Sequence, residues 1–439
     1  MPKHHHLGEI RKRHPDPASH FPVRLRYLCF NFVCSGKASI MPIAKHQSIV
    51  TKLPEIAPAP HDAALKKHHV KDKNGRIVGF RDPCLSSGER PRARKSQGKI
   101  VSFLARFRKK PATQSSAAHD SIPALPFRTS RAAAPLQVTW LGHASVYVEF
   151  SSGLRVLFGP MFTGHAPSSS WPASENLESP THTPSDLPAV DAVCISHAQP
   201  DDLRGGSMRG IAQAHPRAHF LVPLGNAAGL RGIGIANVTE MDWWEQADVL
   251  LEFELQRRRG GGISVVGDPD APRRVTARFS CLPCQPLPRR ARRRDANHTL
   301  WASWSVASGD KSVWYAGAID AECPRPEALH KGDRCCRQDD APRASLFTQI
   351  GQHRGPFDLG LLPVGAYETS DLLSSAHANL SRATKASRDA KCERAVGWTW
   401  AFSSDGSLQL PFSSREPLRK LGIEETGNDV LALGESREY

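Results

Sequence analysis

The sequence predicts an α/β layered domain that follows a basic N-terminal segment. From residue 136 onward, apolar stretches of strand length alternate with helical ones, which is typical of sheets covered by helices. The charge changes at the same place: residues 1–135 carry 26 Lys and Arg against 8 Asp and Glu, while residues 136–439 carry 32 against 35. This excess of positive charge favours an anionic membrane surface, or a solvated tail, over a nucleic-acid-binding core.

Cysteine content and leader signals indicate a reducing compartment. Ten Cys in 439 residues are too few for a disulfide framework, and the first 20 residues lack the apolar core of a secretory signal. No apolar run approaches the ~20 residues of a membrane span. We therefore expect an intracellular protein, cytoplasmic or peripheral to a membrane. A mitochondrial location is the alternative, because residues 24–33 are acid-poor and apolar.

Composition divides the chain into three segments. Residues 1–65 are rich in His, Pro and basic residues, and they predict a disordered basic tail. Residues 66–135 predict an N-terminal extension and linker. Within it, residues 99–110 predict a basic amphipathic helix that lies on a bilayer or packs on its own core. Residues 136–439 predict the main domain.

The main domain begins with segments that favour strands. Residues 137–150 and 154–158 predict a hairpin that turns at 151–153. A β-branched run at 190–197 predicts a buried strand, a short helix follows, and residues 219–223 predict another strand. The stretches 257–274 and 331–345 predict surface insertions. The lone motif Cys281-Leu-Pro-Cys284 lacks the second pair of a zinc knuckle, so it predicts packing at a strand end.

The buried strand at 190–197 ends in a cluster of polar residues. His197 closes the strand, and Gln199, Asp201 and Asp202 follow within five residues. The strand therefore delivers polar side chains to its C-terminal edge. One His and two carboxylates on a single loop can hold one ion loosely.

Further motifs follow in order from residue 68 to the last residues. They are GFRDP at 79–83, TWLGHAS at 139–145, VDAVCISH at 190–197, EMDWWE at 240–245, PCQ at 283–285, TLW at 299–301, GPFDL at 355–359, PVGAYE at 363–368, His377, Trp400 and GESR at 434–437. Together they resemble the N-acylphosphatidylethanolamine-hydrolysing phospholipase D family of the metallo-β-lactamase superfamily. The resemblance implies a four-layer αββα sandwich with metals at one edge of two sheets. It also implies that zinc-bound hydroxide attacks the phosphodiester of an N-acylated phospholipid, with two metals holding the phosphate.

Carried over position by position, the implied ligand set is incomplete on the loop after residue 196. His197 and Asp201 match the family, and Asp201 is the implied catalytic carboxylate. Gln199 and Asp202 stand where the family has His. Asp202 can still coordinate zinc, whereas the neutral amide of Gln199 is a weak ligand.

The implied set is poorer still elsewhere in the chain. Pro286 and Thr399 stand where the family has His, and Ala318 stands where it has the Asp that bridges both metals. Neither Pro286 nor Ala318 has a donor atom in its side chain. Gly159 also replaces an Asp. On the substrate side, the resemblance implies His377 and Tyr367.

These losses predict a pseudoenzyme of the metallo-β-lactamase fold, with zinc weakly bound or absent, that still binds phospholipid or an anionic membrane surface. The alternative is an active zinc-dependent phosphodiesterase that hydrolyses N-acylphosphatidylethanolamine to phosphatidic acid and N-acylethanolamine, with Asp320 or His298 replacing a lost ligand. A third alternative is a chain with no selected function. Whether the chain is an enzyme therefore stays open. No nucleic-acid partner is expected, and the oligomeric state is left open.

Four Trp, at 243, 244, 301 and 304, predict core aromatics rather than a lipid groove.

Overall fold

The computed structural model describes fifteen stretches of the chain, all within a unit that spans Ala44–Tyr439. The described residues are 46–53, 59–61, 63–81, 127–142, 144–162, 182–197, 206–253, 274–284, 298–317, 346–363, 380–398, 401–402, 408–409, 428–431 and 434–439.

Strands dominate these stretches, and the few helices are short. In chain order the elements are β1 His46–Lys52, β2 His69–Lys71, β3 Ile77–Phe80, β4 Gln137–Gly142, β5 Ser145–Glu149, β6 Arg155–Phe158, β7 Ala192–Cys194, α1 Gly206–Ala214, β8 His219–Pro223, α2 Ala227–Gly232, β9 Val238–Met241, β10 Gln246–Phe253, β11 Arg274–Leu282, β12 Ser303–Ser308, β13 Lys311–Tyr315, α3 Leu346–His353, β14 Phe357–Pro363, α4 Leu380–Asp389, β15 Cys392–Trp398, β16 Ala401–Phe402, β17 Leu408–Gln409, β18 Asn428–Val430 and β19 Ser436–Glu438. Among the described residues, no helix is both long and apolar enough to cross a bilayer.

Two large mixed sheets organise the fold. The first has the strand order β19-β4-β5-β6-β7-β8-β9, and the second has the order β1-β10-β11-β12-β13-β14-β15-β18. In the first sheet β6, β7, β8 and β9 are parallel, and in the second β13, β14, β15 and β18 are parallel. Parallel strands place their carboxyl ends at one edge, so each sheet collects strand ends on one side.

Apolar side chains fill three layers, which confirms the αββα sandwich. Along β6, Val156 and Phe158 face the core between the sheets, while Leu157 faces the other way. Leu157 packs in a second cluster with Met208 and Ile211, which lie three residues apart on α1. The third cluster is made by the second sheet with α3 and α4.

The predicted hairpin and buried strands are present, with one difference. β5 and β6 pair as an antiparallel hairpin, and β7 and β8 are the two parallel strands expected after them. Residues 137–150 are not one strand, because the chain turns back between β4 and β5 and these two pair antiparallel. The Cys pair packs as expected, since Cys281 and Cys284 are buried in the core between the sheets.

The expectation of a disordered tail through residue 65 is wrong for β1. This strand pairs with β10 along its whole length, from His46 opposite Phe253 to Lys52 opposite Ala247. Its β-branched centre suits a strand. The strand edge that it joins lies far along the chain, so the composition of the tail could not reveal the pairing.

The expectation of a linker through residue 135 is wrong for its last part. Arg131 donates two hydrogen bonds to the buried carboxylate of Asp191, at 2.7 and 2.8 Å, and Arg155 donates to the carbonyl of Ser130 at 2.8 Å. Residues 127–135 are therefore attached to the first sheet. The predicted amphipathic helix at 99–110 lies outside the described residues.

Candidate functional site

The two sheets meet at the edge where their parallel strands end. Beyond β7, the backbone oxygen of Ser196 accepts a hydrogen bond from the Ala302 amide at 2.7 Å, just before β12. The Trp304 indole donates to the Ile195 oxygen at 2.9 Å, and the Leu300 amide donates to the Leu224 oxygen at 2.8 Å. These bonds between the sheets hold the loop that carries His197 against the loops of the second sheet.

His197 lies at this edge, directly after the buried strand that the sequence predicts. Its Nδ1 atom is 2.9 Å from the hydroxyl oxygen of Ser196, and the ring is partly buried. The remaining predicted site residues lie outside the described part of the chain, so their placement stays a prediction. They are Gln199, Asp201, Asp202, Pro286, Ala318, Thr399, His377 and Tyr367, together with Asp320.

Gly317 shows how closely the second sheet approaches His197. A Cβ atom on Gly317 would lie 2.8 Å from the Ala302 oxygen and 3.2 Å from the Cβ of Ser196. Gly317 also has a φ of +67°, which disfavours other residues. The residue before Ala318 therefore packs against the residue before His197. In this chain Ala318 has no donor side chain.

Gly159, where the resemblance implies an Asp, leaves no room for a side chain. Its φ is +51°, and an added Cβ would lie 2.5 Å from the Tyr315 hydroxyl and 2.7 Å from the Ala144 oxygen. Tyr315 stacks on Phe158 with ring centroids 5.1 Å apart and donates to the Ala144 oxygen at 3.2 Å. Burial raises the pKa of Tyr315 far above its usual range, so the hydroxyl stays neutral. Any side chain at residue 159 would therefore require the Tyr315 hydroxyl and the Ala144 backbone to shift.

The residues present do not fit a two-zinc centre. A catalytic zinc usually keeps three protein ligands, and a pair of zinc ions needs a bridging group. Pro286 and Ala318 offer no donor atom, and the space beside Gly159 is filled by the hydroxyl of Tyr315. The sequence did not predict that Tyr315 packs against Gly159, because Tyr315 belongs to a strand whose residues are typical of a hydrophobic core.

His298, considered as a replacement ligand, makes a different contact. Its Nδ1 donates to the Val78 oxygen at 2.9 Å, and the residue is exposed. This bond connects the loop before β12 to the hairpin of β2 and β3. The four Trp side chains behave as expected: Trp243, Trp301 and Trp304 are buried in the core, and Trp244 packs against it.

A second cluster, which sequence reasoning missed, lies after β9 at the same edge of the first sheet. We call it the His-His-Asp cluster, formed by His68, His69 and Asp242. Their three ligand-type atoms lie within 4.8 Å of one another. His68 Nε2 donates to Asp242 Oδ1 at 2.7 Å, while His69 Nε2 is 3.0 Å and Lys66 Nζ 3.3 Å from Oδ2. The adjacent pair His68-His69 was visible in the sequence, but nothing local joined it to Asp242, 174 residues from His68.

The surroundings of the cluster shift the pKa values of Asp242 and His69. Burial alone would raise the pKa of Asp242, but the hydrogen bond from His68 and the nearby charge of Lys66 outweigh it and lower the pKa to about 2. Burial lowers the pKa of His69, and the neighbouring Asp242 offsets only part of this effect. At neutral pH the cluster therefore contains an ionised carboxylate beside a neutral imidazole.

Comparison with known proteins agrees with the fold. Residues 155–335 match the Beta-lactamase superfamily domain. The chain is 26% identical over 313 residues to N-acyl-phosphatidylethanolamine-hydrolyzing phospholipase D 1 of Caenorhabditis elegans, covering 68% of this chain and 75% of that protein. It is 24% identical over 289 residues to the mitochondrial N-acyl-phosphatidylethanolamine-hydrolyzing phospholipase D of Saccharomyces cerevisiae, covering 65% of this chain and 51% of that protein. The chain thus spans three quarters of the first relative and about half of the second.

A solved structure is similar at greater distance. The diiron beta-hydroxylase CmlA from Streptomyces venezuelae matches with a TM-score of 0.41 and 17% identity, over 70% of this chain and 54% of that one. The motifs, the two sheets with their αββα layers and the match to the superfamily domain place the chain in the metallo-β-lactamase superfamily, and within it the chain is similar to N-acyl-phosphatidylethanolamine-hydrolyzing phospholipase D proteins.

Proposed function

We propose that this chain is a non-hydrolytic member of its family that binds phospholipid at a membrane surface. The observation that carries the first part is the packing at Gly159, where the Tyr315 hydroxyl and the Ala144 oxygen lie too close for the Cβ of the implied Asp. Pro286 and Ala318 add the loss of two ligand side chains. Without two ions, nothing holds a phosphodiester opposite an attacking hydroxide.

The alternative is an active zinc phosphodiesterase that releases phosphatidic acid from N-acylphosphatidylethanolamine. It would use His197, Asp201 and Asp202, with a further ligand from elsewhere. His298, one suggested replacement, is engaged by the Val78 oxygen instead. This contact favours the non-hydrolytic proposal.

Activity of the purified full chain with added zinc separates the two. We expect no release of phosphatidic acid from vesicles that contain N-acylphosphatidylethanolamine, in the wild type or in His197→Ala. Turnover in the wild type that disappears in His197→Ala would overturn the proposal and establish the alternative. Turnover that survives in His197→Ala would point to a contaminating hydrolase, which an independently expressed batch identifies.

Support for lipid binding comes from the hairpin of β2 and β3. Large apolar side chains are exposed at only five described positions, and four of them are here: Leu65 at 65%, Val70 at 37%, Ile77 at 44% and Val78 at 46%. We call these four residues the hairpin surface. Exposed apolar groups beside basic ones are typical of proteins that insert shallowly into anionic bilayers.

The charge of this region fits an anionic partner. Residues 65–81 contain six Lys and Arg against one Asp, and that Asp72 accepts hydrogen bonds from the amides of Asn74 and Arg76. Basic residues near an anionic bilayer contribute ~1 kcal/mol each. The bond from His298 to Val78 places the hairpin beside the loop before β12, so a bilayer touching the hairpin surface would lie near the candidate site.

Vesicle flotation tests this part of the proposal. We expect the full chain to bind phosphatidylserine-containing vesicles in low salt and to bind phosphatidylcholine vesicles poorly. Changing Ile77 and Val78 to Ser should reduce binding, while Ile49→Ser, the fifth exposed apolar side chain, should not. Equal binding by both variants would assign the interaction to another segment, such as the predicted helix at 99–110. A peripheral membrane location inside the cell, with mitochondria as the alternative compartment, is the corresponding prediction for fractionation.

A further inference from the structure

We propose that the His-His-Asp cluster is a binding site for a zinc-type divalent cation. It would lie two strands away from His197, since β8 separates β7 from β9 in the first sheet. The site uses residues that the implied family centre does not use. The proposal therefore stands whether or not the chain hydrolyses lipid.

The donor set and its spacing suit such an ion. Two imidazoles and a carboxylate are a set that zinc accepts with water in the fourth position. Bond lengths of about 2.0–2.2 Å place neighbouring ligand atoms about 3.4 Å apart in a tetrahedral site. Here the two His–Asp distances are 2.7 and 3.0 Å, and the three ligand-type atoms lie within 4.8 Å of one another. An ion would need the two His–Asp distances to lengthen by several tenths of an ångström, and the two imidazole nitrogens to lie about 3.4 Å apart.

His69 supplies the second observation that points to a ligand. Its side chain is 8% exposed, and Nε2 is a buried atom that makes no well-directed hydrogen bond within the described part of the chain. The carboxylate oxygen Oδ2 of Asp242 is only 3.0 Å away, but this contact does not have the geometry of a hydrogen bond. Two ligands of one metal ion also lie close together without a hydrogen bond between them, because the lone pair of each points at the ion rather than at the neighbouring ligand. A buried polar atom left without a partner is otherwise costly.

The surrounding packing holds two of the ligands in place. The His68 ring stacks on Trp243 with centroids 4.3 Å apart, and the Trp243 amide donates to Asp242 Oδ1 at 2.8 Å. Ligands oriented by neighbouring groups bind metal more tightly, by ~10–100-fold for each such neighbour. Because Trp243 touches a ligand ring, its fluorescence should report occupation of the site.

Lys66 is the competing cation. Its Nζ lies 3.3 Å from Asp242 Oδ2 and 3.5 Å from the Trp243 oxygen, and its side chain is 20% exposed. A metal at the carboxylate would displace this ammonium group toward solvent. The two readings of the cluster therefore predict opposite results when Lys66 is removed. In a purely hydrogen-bonded network, loss of Lys66 only weakens the cluster, whereas in a metal site it favours the ion.

Zinc binding to the full chain tests the proposal. The N-terminal run His4-His5-His6 and the candidate site at His197 could also take up zinc, so the reference protein carries Ala at all four positions. Zinc is measured by equilibrium dialysis with elemental analysis, and Trp fluorescence is followed in the same titration. We expect one zinc per chain in the reference protein. His69→Gln should lower the affinity at least ~10-fold, the minimum that even an outer partner contributes.

Lys66→Met is the decisive variant. We expect it to bind zinc more tightly than the reference protein, with a larger fluorescence change. Circular dichroism of each variant shows that it is folded, and Lys67→Met is the matched control, since Lys67 is not a member of the cluster. Zinc uptake that is the same in the reference protein, His69→Gln and Lys66→Met would overturn the proposal. So would a reference protein that takes up no zinc, which would leave the cluster as a hydrogen-bonded network.

Discussion

Two places at one edge of the first sheet, the ends of β7 and β9, differ in how they obtain polar side chains. After β7, His197 and the residues following it come from a single loop, and in our proposal the partners that the family takes from the second sheet are missing. After β9, Asp242 meets His68 and His69 from a distant part of the chain. The first place retains the local motif without its distant partners, and the second has a complete donor set without any local motif. A recognisable loop is therefore poor evidence that a metal centre is intact.

The largest effect is expected at Gly159. A substitution there tests whether the site near the end of β7 still has room for a side chain at this position. Gly159→Asp should destabilise the fold by about 4 kcal/mol, because an added side chain meets the Tyr315 hydroxyl and the Ala144 oxygen at a positive φ. Urea unfolding followed by circular dichroism measures this change.

The control for Gly159 is a glycine with similar backbone geometry in open space. Gly75 has a φ of +77° and no atom within 4 Å of an added Cβ. Gly75→Ala should therefore cost only the backbone strain of about 1–2 kcal/mol. Gly159→Ala should cost clearly more. If the two alanine variants lose equal stability, the space beside Gly159 is open and could still accept a carboxylate.

A second effect concerns β8, the strand between the two places. Burial lowers the pKa of His219 to about 4, from 6.5 in the unfolded chain. As pH falls, His219 therefore binds a proton in the unfolded chain before it does so in the folded one. The contribution of neutral His219 to the free energy of unfolding is complete above pH 6.5 and is lost between pH 6.5 and 4. It amounts to about 3 kcal/mol. Unfolding free energies measured at several pH values should show this slope, and His219→Gln should flatten it. An unchanged slope would assign the acid sensitivity to another group.

The His-His-Asp cluster loses its stabilisation at lower pH. The pKa of Asp242 falls from 3.8 to about 2 on folding, so its contribution is present above pH 3.8 and is lost as pH falls toward 2. The shift corresponds to about 2 kcal/mol. Asp242→Asn should lower stability by about that amount at neutral pH while leaving the slope between pH 6.5 and 4 intact. A variant that also removed that slope would show that Asp242 and His219 titrate together.

The sequence predicted the sandwich well because the information was local and repeated. Strands such as 154–158 and 219–223 are marked by short β-branched runs, and the motifs fix their order. It failed where a partner comes from far away. β1 is a strand because it joins the edge of β10, and Arg131 is ordered because it meets the buried Asp191. The residues around β1 do not indicate its pairing with β10, and those around Arg131 do not indicate its contact with Asp191.

The candidate site was predicted less completely, for a related reason. The strand end at His197 was visible, whereas Tyr315 fills the space at Gly159 from the opposite sheet, and only the packed structure reveals that. The His-His-Asp cluster also depends on a contact between distant segments. Residues whose role depends on such contacts look like ordinary core or loop residues in the sequence.

The smallest effects are expected when single ligands are restored at the first place. Gln199→His, Asp202→His, Pro286→His, Ala318→Asp and Thr399→His should each leave zinc content and hydrolysis unchanged, because four donors at most cannot give each of two ions three protein ligands. All five together should increase zinc bound in a His197-dependent manner, measured in the background without His4–His6 and with His69→Gln. Activity should stay low even then, because Tyr315 still occupies the space of the missing carboxylate at Gly159. Zinc bound after one reversion alone, and lost again in His197→Ala, would mean that the loop after β7 already provides most of a metal site. In that case the loop after β7 and the His-His-Asp cluster would both have enough donor atoms for zinc, and they would differ only in how much zinc they bind.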